Sequence, residues 1–227
     1  MVKKSKVWYL ENFNFFSELD MEVRTFICQN TIMRSLDKGE VVYFQFDPSN
    51  SVYFLKEGKI RISKFAHTGE EFLIGILEKG EIFGESSITA SKYRKEAAIV
   101  EEKGTYCVMK EEKFKELLLM APALNLKFSQ MLEEKLEKAQ KRLQDLSCKN
   151  NQQRIIDFLK ETAALSSKSH NGELIIDNSL THQKIAQLTC TNRQEVSSVL
   201  SLLKKNKIID YNRKTIKILK LHALQTS

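Results

Sequence analysis

A segment near the C-terminus carries side chains that can hydrogen-bond to the edges of nucleic-acid bases. Arg193, Gln194, Ser197 and Ser198 recur at helical spacing. Arginine can donate two hydrogen bonds to guanine, glutamine can make two with adenine, and a serine hydroxyl can bond to several bases. Apolar residues recur on the other side of the same stretch, at Val196, Val199, Leu200 and Leu203. The spacing predicts a helix with one buried side and one side suited to a major groove.

A second, shorter helix is predicted directly before this one, with an apolar stripe at Ile185, Ala186 and Leu188. Thr181 can cap it by accepting a hydrogen bond from its first free N–H groups. Asn192 can cap the following helix, with Glu195 three residues later as in a capping box. Two short helices at a sharp corner predict a helix-turn-helix. A solvated helical pair in any small domain is the alternative that this pattern alone leaves open.

We expect DNA contacts from the start of the first helix, from the corner and from the polar side of the second helix. The candidate residues are Thr181, His182, Gln183, Thr191, Asn192, Arg193, Gln194, Ser197 and Ser198. Cys190 occupies the corner, where a positive φ costs a residue with a Cβ about 1 kcal/mol. After the second helix, β-type runs at Ile208–Tyr211 and 215–219 flank Asn212-Arg213-Lys214 and predict a basic hairpin, the wing of a winged helix.

The charge is unevenly distributed along the chain. Residues 1–147 contain 23 Lys and Arg against 23 Asp and Glu, whereas residues 148–227 contain 13 against 6, so the formal net charge of +7 lies on the C-terminal third. Such asymmetry indicates a polyanionic partner, and for a helix-turn-helix that partner is DNA. Basic segments can also bind an acidic membrane surface, but here the charges are interleaved with apolar core positions.

Length and composition indicate a globular, cytoplasmic protein. The 227 residues are 42% hydrophobic and 29% charged, without a segment of the ~20 apolar residues that a membrane helix needs. The four cysteines lie far apart without metal-ligand spacing and are expected to be ordinary thiols; they are Cys28, Cys107, Cys148 and Cys190. A jelly-roll enzyme of the cupin type would need clustered metal ligands, but the histidines are scattered at 67, 170, 182 and 222. We therefore expect no enzyme and no metal site.

Residues 34–109 show short runs of β-branched and aromatic residues separated by turn signals. The predicted strands are 41–46, 51–55, 59–65, 71–77, 97–100 and 105–109, and the predicted turns include Glu57-Gly58, Thr68-Gly69, Lys79-Gly80 and Lys103-Gly104. This pattern predicts an antiparallel barrel or jelly roll. Before it, residues 15–31 are predicted to form short helices that cover one end through Phe16, Leu19, Val23, Phe26 and Ile27.

A long helix is predicted between the two halves, beginning at Pro122 and free of Gly and Pro afterwards. Its apolar residues follow alternating spacings of four and three, at Leu132, Leu136, Ala139, Leu143 and Leu146. This is the seam of a coiled coil, and we expect it to form a dimer interface. The flanking charged residues, Lys135 among them, suit a solvated exterior. A single amphipathic helix packed on its own barrel would give a similar stripe.

A jelly roll, a long helix and a winged helix in this order resemble the CRP/FNR family of bacterial transcription regulators along nearly the whole chain. The resemblance is carried by Lys56-Glu-Gly-Lys-Ile-Arg-Ile62, by the segment 68–85 and by the segment 183–203. Gly80-x-x-x-Gly84-Glu85 is similar to the start of the phosphate-binding cassette of the family. The resemblance implies an α+β fold with a sensor domain at 1–121, a dimerisation helix at 122–147 and a DNA-binding domain at 148–227.

The same resemblance implies an effector site at Gly84, Glu85, Ser86, Arg94 and Lys95. Members that bind cyclic AMP carry Arg-Ser-Ala about ten residues after the Gly-Glu pair, where this chain has Arg94-Lys95-Glu96-Ala97. An ionised Glu96 repels a phosphate and cannot donate a hydrogen bond to it. We therefore expect an unidentified effector other than cyclic AMP; an anion met by Lys92, Arg94 and Lys95 is one candidate. The cysteine group of an iron–sulfur sensor and the axial His of a haem sensor are not in place.

On the recognition helix, members of the cyclic-AMP type carry Arg-Glu and a second Arg four residues after the Glu. This chain has Arg193 but Gln194 and Ser198 at the other two positions, so we expect a changed operator. The predicted function is a homodimeric regulator that binds a near-palindromic duplex and works with RNA polymerase. The rival hypothesis is a cyclic-nucleotide or anionic-metabolite binding module with little or no role on DNA.

Overall fold

The fold is described from a computed structural model, which describes residues 14–16, 19–88, 92–165, 169–170, 173–177, 180–212, 215–221 and 224. The chain divides into two compact units, Met1–Leu136 and Glu137–Ser227. Among the described helices, none is both long enough and apolar enough to cross a bilayer.

The first unit is built on one antiparallel sheet flanked by helices. Its strands are β1 (Thr31–Leu36), β2 (Val41–Tyr43), β3 (Ser51–Phe65), β4 (Glu71–Leu77), β5 (Ile82–Phe83) and β6 (Ala97–Lys110). The order is β1-β6-β3-β4, with β2 also paired to β6 and β5 to β3. Its helices are a 3-10 turn (Asn14–Phe16), α1 (Met21–Asn30), α2 (Glu111–Met120) and the start of α3 (Pro122–Cys148). The antiparallel, jelly-roll type of fold predicted from the alternating strands is confirmed.

Two predicted turns are wrong, because Glu57-Gly58 and Lys103-Gly104 lie inside the long strands β3 and β6. The register shifts between Leu55 and Ile60, and the two glycines approach each other across the strands in this stretch. A Cβ on Gly58 would lie 2.6 Å from the Glu102 carbonyl oxygen and 2.7 Å from the Gly104 Cα. The glycines therefore mark a bulge where two backbones approach closely, and a corner and a bulge carry the same glycine signal in a sequence.

The main core of the first unit lies between the sheet and the helices. Phe16 of the 3-10 turn packs against Phe54 of β3 with ring centroids 5.1 Å apart, and Phe54 lies 5.9 Å from Phe114 of α2. Val23 and Ile27 of α1 belong to the same cluster. The sequence-based prediction that the N-terminal helices cover the barrel through these residues is confirmed.

The long helix α3 begins at Pro122, as predicted, and only its first turns are buried. Leu124 and Phe128 are its buried residues, and Leu132 packs partly against the main core. Beyond Leu132 the predicted seam is exposed in the single chain; the exposed fractions are 51% for Leu136, 66% for Leu143 and 43% for Leu146. Ala139 is exposed as well.

Among its described residues, the second unit contains three further helices and a four-stranded sheet. The helices are α4 (Asn151–Leu165), α5 (His182–Thr189) and α6 (Arg193–Lys205), and the strands are β7 (Ser169–His170), β8 (Glu173–Asp177), β9 (Ile209–Tyr211) and β10 (Thr215–Ile218). The sheet order is β7-β8-β10-β9. The wing strands β9 and β10 pair as predicted, whereas β8, which pairs with β10, was not predicted. Its two central isoleucines are adjacent, so the alternation of apolar and polar residues that indicates a half-buried strand is absent.

Candidate functional site

The two helices of the predicted helix-turn-helix are capped as their sequence indicates. Thr181 Oγ1 accepts a hydrogen bond from the Lys184 N–H at 3.3 Å. Asn192 Oδ1 accepts from the Glu195 N–H at 2.9 Å, and the Asn192 N–H donates to Glu195 Oε2 at 3.4 Å, which completes the capping box. These caps satisfy backbone donors that a helix start leaves without partners, and they determine where each helix begins.

The corner between α5 and α6 is formed by Cys190 in the left-handed conformation, with φ 51° and ψ 49°. The Thr191 N–H donates to the Ala186 carbonyl at 2.8 Å across this corner. A residue with a Cβ pays about 1 kcal/mol for such a backbone. The expected positive φ at Cys190 is therefore present, and the tight turn forms despite the cost.

Arg154 of α4 holds the corner in place, a role that the sequence analysis missed. Its guanidinium donates to the carbonyl oxygens of Thr189 and Cys190, both at 3.0 Å, and to Asn151 Oδ1 at 2.6 Å. A planar fork of donors suits several convergent oxygen atoms. Nothing in the sequence distinguishes this arginine from one that binds DNA, because its partners lie 35 and 36 positions away.

The candidate DNA-contacting residues lie together at the start of α5, at the corner and along one side of α6. The exposed ones are Thr181, Gln183, Asn192, Arg193, Gln194 and Ser198, and the half-buried ones are His182, Thr191 and Ser197. Val196, Val199, Leu200 and Leu203 are buried on the other side of α6. In the described part of the chain, the side chains of Arg193, Gln194 and Ser198 make no hydrogen bond. A row of exposed, unoccupied polar groups on a rigid helix is available to base edges.

All three half-buried candidates form hydrogen bonds within the unit. His182 Nδ1 lies 2.9 Å from Ser197 Oγ, and the hydroxyl of Thr191 lies 3.0 Å from that of Thr189. At the end of α6, Lys204 contacts the wing strand β9, with Nζ 2.7 Å from Asp210 Oδ1 and 5.0 Å from the centre of the Tyr211 ring. The predicted basic residues Arg213 and Lys214 lie outside the described residues.

The candidate effector site in the first unit follows β5, where Gly84 takes a left-handed conformation with φ 72°. Glu85 begins a short 3-10 turn, and Ser86 beside it is half-buried. Lys135 of α3 places Nζ 2.6 Å from Glu85 Oε1 and donates to the Ile82 carbonyl at 3.0 Å. Glu85 therefore has a cationic partner on α3 already. The sequence predicts Lys135 on the solvated exterior of the helix, whereas the structure places it against Glu85.

Arg94 is a buried part of the wall of this site. It is 1% exposed, donates to the carbonyl oxygens of Gly84 at 2.7 Å and Ser51 at 2.6 Å, and lies 4.4 Å from the centre of the Tyr43 ring. Its guanidinium thus ties two backbone segments together. The neighbouring Lys95 is exposed. Of the three cations predicted to meet an anion here, Lys92 and Lys95 are exposed, whereas Arg94 is turned into the protein.

Glu96 makes the site unfavourable for a phosphate at the position discussed above. Burial and the nearby Glu85 carboxylate raise the pKa of Glu96 above its ordinary value. A raised pKa means that these surroundings disfavour the ionised form of Glu96. A phosphate placed here would meet the Glu85 carboxylate and, where Glu96 is ionised, a second negative charge.

Comparisons with known proteins agree with this architecture. Residues 33–120 match the cyclic nucleotide-binding domain family, and residues 153–227 match the Crp-like helix-turn-helix domain family. The global nitrogen regulator of Synechocystis sp. is 23% identical over 189 residues, which are 82% of this chain and 84% of the relative. The CRP-like cAMP-activated global transcriptional regulator of Mycobacterium tuberculosis is 24% identical over 164 residues, 72% of this chain and 73% of the relative.

A solved structure shows the same fold. A mutant of CooA from Carboxydothermus hydrogenoformans aligns with 100% of this chain and 97% of its own at a TM-score of 0.78, with 21% sequence identity. The two matched domains cover most of the chain, in the order that the strands, the long helix and the winged helix indicate. The chain belongs to the CRP/FNR family of DNA-binding transcription regulators.

Proposed function

We propose that this protein acts in the cytoplasm as a homodimer that binds a near-palindromic DNA site under the control of a small molecule in its first unit. The observation that carries the proposal is the capped helix α6, whose exposed Arg193, Gln194 and Ser198 make no hydrogen bonds to the described residues. Helices of this kind enter the major groove with their first turns against base edges. Arg193 suits guanine and Gln194 suits adenine.

The remaining candidates orient the protein on the duplex. Thr181 and Gln183 lie at the start of α5, and Asn192 lies at the start of α6, where backbone N–H groups and the helix dipole favour a phosphate. Contacts to phosphates determine register but carry no sequence information. The net charge of +7 on the C-terminal third adds the electrostatic attraction that such contacts need.

Dimerisation is proposed through α3. Leu136, Leu143 and Leu146 form an apolar row that is exposed in the single chain, and Leu132 and Ala139 extend it. Contiguous exposed apolar residues at heptad spacing are stable in water when a second helix covers them. Two copies joined in this way would present two recognition helices to two half-sites. RNA polymerase is the proposed further partner of the DNA-bound dimer.

The proposed effector is a small molecule other than cyclic AMP, held near Gly84, Glu85, Ser86, Arg94 and Lys95. Three features argue against cyclic AMP: Arg94 is bound to carbonyl oxygens, Glu96 opposes a phosphate, and Lys135 occupies Glu85. An anion met by the exposed Lys92 and Lys95 is the candidate class. Because Lys135 lies on α3, a ligand that displaces it from Glu85 would change how the helix is held and shift the balance between dimer arrangements.

Selection of the purified protein on randomised duplex DNA tests the proposal. We expect enrichment of a two-fold-symmetric site, in the absence of an added ligand or after addition of candidate anionic metabolites. Binding to the enriched duplex should weaken steeply as salt rises, because each phosphate contact releases counterions. A protein that enriches no sequence under either condition and shows no salt-dependent binding is the ligand-binding module of the rival hypothesis.

A further inference from the structure

His182 connects three elements of the second unit, α5, α6 and β9. It is the first residue of α5, and its Nδ1 lies 2.9 Å from the hydroxyl oxygen of Ser197 on α6. Its ring meets the Tyr211 ring of β9 edge-on, with centroids 5.9 Å apart and planes at 65°. These two contacts fix the position of the ring, and the ring in turn holds the Ser197 hydroxyl on the recognition helix.

The direction of this hydrogen bond determines what Ser197 can offer to a base. A serine hydroxyl has one proton to donate and two lone pairs that accept. If His182 Nδ1 accepts the proton, Ser197 faces the DNA with lone pairs alone. If Nδ1 carries the proton, the hydroxyl hydrogen stays free. When Nδ1 accepts, the Ser197 hydroxyl can only accept, which favours adenine and cytosine because their amino groups donate in the major groove. When Nδ1 donates, the hydroxyl can also donate to guanine and thymine.

The surroundings of His182 favour the first case. Burial and the positive Arg193 lower the pKa of His182, so the ring is neutral and has one lone pair and one N–H. Within the part of the chain that the structure describes, Nε2 has no hydrogen-bond partner, which leaves it to solvent or DNA. An N–H at Nε2 can donate to a phosphate oxygen, whereas a bare lone pair there would face negative charge. The proton therefore belongs on Nε2, and Nδ1 accepts from Ser197.

We infer that His182 is a positioning residue for base recognition: it takes the hydroxyl proton of Ser197, so that Ser197 accepts a hydrogen bond from an adenine or cytosine amino group. The inference rests on the proposed function, because it assumes that α6 enters the major groove. It gives His182 a role in sequence preference through Ser197.

The test uses the full chain and the DNA site enriched by the parent protein. Relative affinities are measured for duplexes that carry each of the four base pairs at every position of the half-site. The proteins are the parent, Ser197→Ala, His182→Phe, the variant that combines these two changes, and His182→Asn. Phenylalanine keeps a ring against Tyr211 without a nitrogen, whereas the oxygen of asparagine can take the place of Nδ1. Circular dichroism and urea unfolding establish that each variant is folded.

At one position of the half-site, the affinity of the parent for adenine or cytosine should exceed that for the other bases by about three- to tenfold. This ratio corresponds to the net contribution of one hydrogen bond. Ser197→Ala and His182→Phe should lose that preference at the same position, the double variant should match Ser197→Ala, and His182→Asn should retain it. The inference is overturned if His182→Phe keeps the preference, if the two single changes affect different positions, or if the preferred base is guanine or thymine.

Where His182→Phe does not fold, the other two single variants carry the test. A Ser197→Ala variant that keeps the preference, or a folded His182→Asn variant that loses it, then overturns the inference. A parent that enriches no sequence instead contradicts the proposed function itself.

Discussion

At the scale of single residues, several charged side chains have contacts within the protein and stabilise its fold. Arg94 donates to two carbonyl oxygens inside the first unit, and Arg154 supports the corner of the helix-turn-helix. Lys56 of β3 is 2% exposed, with Nζ 5.2 Å from the centre of the Phe16 ring and 5.9 Å from that of Phe54. Arg193 of the second unit, by contrast, is exposed. Burial therefore separates structural cations from those available to a ligand.

Replacement of Lys56 by methionine should make stability less dependent on pH. Burial lowers the pKa of Lys56 from 10.5 to about 8, so the folded state resists the proton that the unfolded state binds. The parent therefore loses stability as the pH falls from 10.5 through 8. Lys56→Met has no ammonium group at this position and does not lose stability in this way. When the pH is lowered from about 10 to about 7, the free energy of unfolding of the variant should rise by about 2 kcal/mol relative to that of the parent.

Urea unfolding at several pH values measures this shift. Lys79→Met is the control, because Lys79 is exposed and its replacement should leave the pH profile parallel to that of the parent. Parallel profiles for Lys56→Met as well would contradict the inferred cost of burying the ammonium group.

Arg193→Ala should lose about 1–3 kcal/mol of binding to the selected DNA site and relax the preference at one base pair. Arg193→Lys is the matched control, since lysine keeps the positive charge but cannot make the bidentate contact to guanine. It should lose the base preference while the salt dependence of binding stays close to that of the parent. Titrations of the selected duplex and a scrambled duplex give both quantities. If Arg193→Ala binds both duplexes as the parent does, the recognition surface is assigned to the wrong side of α6.

At the scale of elements, the long strands β3 and β6 depend on the bulge where Gly58 and Gly104 meet. A hairpin corner would leave either glycine in open space. Gly69, in the turn between β3 and β4, has nothing within 4 Å of a Cβ built on it, although its φ of +84° is nearly that of Gly58, +85°. The two glycines therefore share a backbone conformation and differ in what surrounds them.

This pair permits a matched comparison. Gly69→Ala should cost about 1 kcal/mol of stability, the penalty of a Cβ at positive φ. Gly58→Ala should cost about 3 kcal/mol or more, because its Cβ would also overlap the backbone of β6. Urea unfolding followed by circular dichroism measures both. Equal losses for the two variants would show that the strands separate at little cost and that the close approach is not required.

At the scale of the whole molecule, the long helix α3 is only partly buried in a single chain. Its first turns are covered by the main core, whereas the later leucines of the seam are exposed. The dimer proposed above would bury them, and it would provide two recognition helices to one DNA site. Dimerisation and high-affinity DNA binding should therefore be lost together.

Leu143→Glu should convert the protein to monomers, because two carboxylates would face each other in the seam. Leu126→Glu is the control: Leu126 is 62% exposed, against 66% for Leu143, and lies on the same helix outside the seam. Sedimentation velocity gives the oligomeric state, and titration of the selected duplex gives the affinity. A parent that sediments as a monomer, or a Leu143→Glu variant that remains dimeric, would refute the assignment of α3 as the interface.

The sequence by itself determined the features that depend on neighbours along the chain. Helix caps at Thr181 and Asn192, the apolar side of α6, the strand pattern of the barrel and the start of α3 at Pro122 all follow from residues within a few positions of one another. Periodicity and capping act over one or two turns, so they are visible without a fold. The order of these elements was then enough to indicate the family.

Only the tertiary structure decided which polar side chains remain available for function. The contacts of Arg94 with Ser51, of Lys135 with Glu85 and of His182 with Ser197 join residues 43, 50 and 15 positions apart. The same holds for the two glycines that form a bulge where the sequence predicted turns. Such pairs are brought together by packing, and a buried polar group must find a partner wherever the fold supplies one, so its partner is not encoded by spacing in the sequence.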